Sequence, residues 1–172
     1  MATYTYEQVR GVVQDGDVIF IEGLWKKPSN ALIMFFTNSR FHHVGIACWV
    51  GTGNNRRCLL IEAHGRTKRR IILLSYYSDH NMVVIPGPLP WDVVQNTAFE
   101  RIAHEGYGYL DAVYIGLREA CLRYFGIKLP TYDFPMEVCS EFVAKVYQLE
   151  DTNISPQALY EQLIIRETER GV

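Results

Sequence analysis

Three residue types that can do acyl chemistry together stand far apart in this chain: a thiol at Cys139, an imidazole at His43 and a carboxylate at Glu62. Cys139 opens the run Cys139-Ser140-Glu141-Phe142-Val143, where the spacing to Phe142 and Val143 puts it on the inward face of a helix, at its first turn. Helix-terminal amides and a neighbouring imidazolium both favour a thiolate. His43 shares one strand face with Gly45, Ala47 and Trp49, because side chains alternate along a strand. A hairpin centred within Gly51–Arg57 puts His43 opposite the stretch from Glu62 to His64, within cross-strand reach. Glu62 can then accept the second imidazole N–H and fix its tautomer. This is the division of labour of nucleophile, base and orienting residue.

Each residue also has a plainer reading. A cysteine on an apolar helical face is more commonly core packing, and a histidine that opens a strand is more commonly a satisfied polar residue. Glu62 is the least ordinary of the three. Inside Leu60-Ile61-Glu62-Ala63 it sits on a strand expected to be buried, where a carboxylate requires a partner or a raised pKa.

The elements that must position these residues follow from period and punctuation. Strands are expected over 16–23, 43–50, 58–64, 69–76 and 82–86, with a short helical segment over 31–36. Pro86-Gly-Pro-Leu-Pro90 ends the β pattern. Helices are expected over 91–105, 110–125, 139–149 and from Pro156 to about Ile165; Gly126 caps the second and Ser155 the last. The expected class is α+β in one domain, residues 1–172: an antiparallel β-meander, or barrel-like sheet, of about five strands packed against helices.

Composition sets bounds. The chain has 172 residues, is 48% hydrophobic and carries a formal net charge of -2, which argues against a nucleic-acid partner. No apolar run approaches the about 18–20 residues that span a bilayer, and no signal peptide is visible, so a cytoplasmic location is expected. Cys48, Cys58, Cys121 and Cys139 form no C-x-x-C pair. Neither a metal nor another cofactor is expected, and Cys48 and Cys58 read as reduced, buried thiols.

Four segments occur in order: Gly16-Asp17-Val18-Ile19-Phe20, His43-Val44-Gly45-Ile46, Ile61-Glu62-Ala63 and Val138-Cys139-Ser140-Glu141-Phe142-Val143. Together, with Gly106-Tyr107-Gly108-Tyr109 and Ser155-Pro156 between and after them, they resemble the circularly permuted NlpC-like branch of the papain-fold cysteine hydrolases, of the YiiX/YaeF type, over residues 11 to 165. The resemblance implies a permuted papain-like fold and a thiol hydrolase acting on an amide, isopeptide or ester bond. It makes Cys139 the nucleophile, His43 the base and Glu62 the orienting residue. The substrate would be a peptide, a conjugated protein or a lipid. The permuted lecithin:retinol acyltransferase-like cousins use a second histidine, which His64 would supply, and act as lipid acyltransferases or phospholipases. A catalytically silent peptide- or lipid-binding module is the third possibility. Tyr107 and Tyr109 are candidates to line a substrate cleft, since a phenol can donate to an oxyanion. Asp17 reads as a turn stabiliser, and Glu141 as a partner in a salt bridge within the fold. His42, next to His43, is expected on the opposite strand face. The basic stretches Arg56-Arg57 and Arg66 to Arg70 read as a solvated rim that could steer an acidic ligand.

Overall fold

The apolar run Val18-Ile19-Phe20-Ile21 decides the architecture. All four side chains are fully buried, so this strand is covered on both faces rather than alternating between core and water. It is β1 (Val18–Glu22) of a computed structural model that describes the chain except residues 1, 25, 27–30, 32–33, 36, 65–67, 104–113, 115–116, 119–120, 124, 131–137 and 171–172.

The sheet also contains β2 (Phe41–Val50), β3 (Arg57–His64), β4 (Lys68–Leu73) and β5 (Met82–Ile85), all antiparallel, in the order β4-β3-β2-β1-β5. The first four strands form a meander. The fifth departs from the expected order: it crosses back and pairs with β1, Val18 opposite Ile85 through Ile21 opposite Met82. The reason lies in β1, whose apolar side chains on both faces make it a poor edge strand. The crossing begins where a β-strand was expected to continue to residue 76. The chain instead turns at Leu74–Tyr77 into a 3-10 segment that buries Leu74 and Tyr77. β4 and β5 remain as edges, so the sheet is open and not a barrel.

The hairpin β2–β3 holds the register Ile46 opposite Ile61 through Val50 opposite Arg57. Its closeness depends on Gly45: a Cβ there would lie 2.7 Å from Leu60 Cγ and 2.9 Å from the Ile61 carbonyl oxygen. Only hydrogen fits.

Helices cover both faces. One face, with Ile19, Ile21, Ala47 and Leu60, packs on α1 (Tyr6–Val12) through Val9, and on Leu74 and Tyr77. The sequence reading did not anticipate α1. Its start is fixed by Gln8, whose Oε1 accepts the Thr5 backbone N–H at 2.9 Å, as in a capping box. The other face, with Val18, Phe20, Val44, Ile46 and Ile61, packs on α2 (Trp91–Ala103), α3 (Cys139–Val146) and α4 (Pro156–Arg170). Phe142, Val143 and Val146 of α3 are fully buried, each contributing about 1.5–3 kcal/mol by leaving water. At the start of α4, Ser155 Oγ accepts the Ala158 N–H at 3.2 Å, the expected cap. The helix expected over 110–125 lies largely outside the described residues, but its end is as anticipated. Gly126 takes φ +65 and its N–H reaches the Leu122 carbonyl at 3.1 Å.

Candidate active site

His43 lies near the start of β2, in its ladder with β1. Ile21 lies opposite His43, but Glu22 lies opposite Phe41, so His42 is the extra residue of a bulge. A bulge redirects side chains that simple alternation would separate. The expectation that His42 points away from His43 is therefore corrected. His43 stacks on the Tyr77 ring at 5.7 Å and 29°, and the His42 ring lies 6.4 Å from that same tyrosine.

Glu62 is fully buried in the middle of β3. Its Oε2 accepts the His43 Nε2–H at 2.8 Å, and its Oε1 accepts the Arg70 Nε–H at 2.7 Å. The Tyr77 hydroxyl donates between both oxygens, at 3.0 Å to Oε2 and 3.2 Å to Oε1. Burial by itself would push this carboxyl up. The charges and hydrogen bonds of His43, followed by those of Arg70, outweigh burial and hold it at about 2. Glu62 is thus a carboxylate at any ordinary pH. Tyr77 is pushed well above the usual phenol range by burial and by Glu62, so it stays a donor.

Cys139 is the first residue of α3, following Val138 in extended conformation at φ -90 and ψ 168. Its own amide and the next two have no acceptor within the helix, as at every helix start. The side chain, 7% exposed, lies close enough to His43 to contribute to raising the imidazole pKa. With Nε2 occupied by Glu62, Nδ1 is the ring nitrogen that the carboxylate leaves unengaged. Burial alone would lower the His43 pKa. Glu62 first and Cys139 second reverse that, and together they raise it to about 10. Cys139, His43 and Glu62, drawn from three separate elements, are thus gathered at one site, where a 2.8 Å hydrogen bond joins His43 to Glu62.

The other candidate residues sort as follows. The His64 ring meets that of His43 edge-on at 5.9 Å. Tyr107 and Tyr109 lie outside the described residues. Cys48 and Cys58 are free and buried, on opposite sheet faces. Burial raises both thiols, Cys58 to about 12. Asp17 does stabilise its turn, Oδ2 accepting the Gln14 N–H at 2.7 Å, and Glu141 pairs with Lys145 at 2.9 Å. Among the described residues no cluster of three His, Cys, Asp or Glu side chains is arranged to hold a metal ion, and no helix is long and apolar enough to cross a membrane.

Two participants escaped the sequence reading, Arg70 and Tyr77. Arg70 was grouped with a solvated rim, yet it stands directly opposite Glu62 in the β3–β4 ladder. The same ladder sets His64 opposite Lys68. Arg69 is not free on a rim either, its Nη1 donating to the Arg101 carbonyl at 2.8 Å. For Tyr77 the sequence holds no signal, because its position depends on the 3-10 turn that ends β4. No protein-family model matches this chain, and no curated protein matches it significantly.

Proposed function

We propose that the protein is a cysteine-nucleophile hydrolase cleaving an amide, isopeptide or ester bond through a thioester on Cys139. His43 takes the Cys139 proton at Nδ1, and the thiolate attacks the substrate carbonyl carbon. Backbone N–H groups at the start of α3, including that of Cys139, stabilise the oxyanion. His43 then returns the proton to the leaving nitrogen or oxygen as the carbon–heteroatom bond breaks. Water, deprotonated by His43, attacks the thioester carbonyl; the C–S bond breaks and a carboxylic acid leaves. The observation that carries this reading is the buried 2.8 Å hydrogen bond from His43 to an ionised Glu62, with the Cys139 thiol at the start of α3 close to the same imidazole. Its resemblance to permuted NlpC-like hydrolases points the same way.

Supporting Glu62 over His64 as the orienting residue is the 2.8 Å bond from His43. The proximity of His64 to His43, 5.9 Å between rings, favours keeping one second reading, a lipid acyltransferase in which His64 takes that role. Intact-protein mass spectrometry with peptide and acyl-lipid donors tests both. Acyl-Cys139 that decays by hydrolysis is the expected result. Transfer to an added amine or lysolipid in preference to water would replace the hydrolase reading by the acyltransferase one, and no adduct in either donor series would favour a silent binding module.

A further inference from the structure

Deacylation poses a physical problem at His43, and the side of Glu62 opposite His43 bears on it. A thioester on Cys139 is hydrolysed only if His43 becomes neutral and can accept a proton from water. A buried imidazole bonded at 2.8 Å to a buried carboxylate resists that, because the carboxylate holds the imidazolium in place. If Glu62 answered to His43 alone, its whole charge would favour the imidazolium and oppose this step.

Glu62 does not answer to His43 alone. Each oxygen has its own main partner: His43 on Oε2 at 2.8 Å, Arg70 on Oε1 at 2.7 Å, with Tyr77 bridging both. We propose that Arg70 and Tyr77 are positioning residues that divide the Glu62 charge, so that His43 gives up its proton once Cys139 is acylated. This rests on the hydrolase reading for its purpose, but its physical content is a statement about charge parity that needs no substrate.

Consider the formal charges. In the proposed ion pair that attacks substrate, a Cys139 thiolate and the His43 imidazolium would cancel, and so do Glu62 and Arg70. Acylation removes the thiolate charge. A protonated His43 then leaves the cluster with one net positive charge, and loss of that proton restores neutrality. In poorly hydrated surroundings an uncompensated charge is costly, so acylation itself drives the proton off His43. Without Arg70 the parity inverts: the acyl-enzyme is neutral only with His43 protonated. Arg70 is 21% exposed at its side chain, so water screens part of its charge, while its Nε remains fixed on a carboxylate with no exposure.

Other ionisable groups also face His43. His64 from β3 and His42 from its own strand are imidazoles, and His42 is held neutral, by burial first and then by the neighbouring histidines, its pKa lowered to about 3. His80 lies behind His42, stacked on it at 4.9 Å. Tyr77 stays protonated. Arg70 therefore supplies the one permanent cation bonded to Glu62 among the described residues.

The test is a histidine NMR titration of His43 in Cys139→Ala, whose uncharged side chain stands for the acylated sulfur. The His43 signal is assigned by its loss in His43→Gln. Adding Arg70→Gln should move the His43 titration up by about one pH unit or more. Arg70→Lys, which keeps the charge, should move it by much less. Tyr77→Phe should shift it the same way as Arg70→Gln but less far, and it carries the test if Arg70→Gln does not fold. A His43 titration unchanged or lowered in Arg70→Gln, or unchanged in Tyr77→Phe, overturns the proposal. Because no turnover is measured, this outcome is separate from the fate of the hydrolase reading, which stands or falls on acyl-Cys139 formation.

Discussion

The rings of His42 and His80 stack 4.9 Å apart at 27°, two imidazoles so close that a proton on one opposes a proton on the other. The bulge in β2 creates this contact by turning His42 toward the Tyr77 side of the sheet. Burial is the first cause of the low His42 pKa, about 3 against an ordinary 6.5, and the neighbouring histidines add to it. Unfolded chains therefore bind a proton at His42 that the folded protein refuses, so stability falls as pH drops from about 6.5 towards 3. Urea midpoints across that range should show this slope, and His42→Phe should flatten it. An equal slope in both proteins would rule out His42 as its source.

The alkaline side is governed by His43. Its pKa is raised in the folded state, from 6.5 to about 10, so the folded protein binds the extra proton. The stabilisation is complete below about 6.5 and is lost as pH rises through about 10. Denaturation midpoints should decline over that window in wild type. In Glu62→Gln, where the main raising charge is gone, the decline should shrink clearly; if it persists at full size, Glu62 is not its main origin.

Thiol reactivity should single out Cys139. Near pH 6, iodoacetamide should label Cys139 well ahead of Cys48 and Cys58, both raised by burial. His43→Ala should abolish the preference, since His43 is the proposed base for this thiol. Peptide mapping by mass spectrometry reads this directly, and uniformly slow labelling of these cysteines would remove the basis for a nucleophile.

Glu62→Gln should lower kcat by about 10²-fold with a smaller change in KM, because the orienting charge acts mainly on the transition state. His64→Ala should cost far less. The reverse ranking would transfer the third role to His64 and favour the acyltransferase reading.

Gly45→Ala tests the packing that brings β3 against β2. The added Cβ meets Leu60 Cγ at 2.7 Å and the Ile61 carbonyl at 2.9 Å, so overpacking should cost about 1–3 kcal/mol in urea unfolding. A neutral substitution would mean that the hairpin yields readily at this point.

Local features were legible because short-range rules decide them. Loop length and alternation set the β2–β3 register that brings His43 near Glu62. Punctuation marked the starts of α2 at Trp91, α3 at Cys139 and α4 at Pro156. The sequence could thus name a thiol, an imidazole and a carboxylate on elements able to meet. It could not say what else surrounds the carboxylate. Arg70 read as one cation in a basic run until strand pairing set it against Glu62. Tyr77 reaches the site only because β4 stops early and the chain passes beneath the sheet to bring β5 beside β1. Alternation, which located His43 correctly, failed one residue earlier, where the bulge adds His42 without a partner on β1. Those outcomes follow from competition between distant segments for buried surface and hydrogen bonds, and no window of neighbouring residues contains that competition.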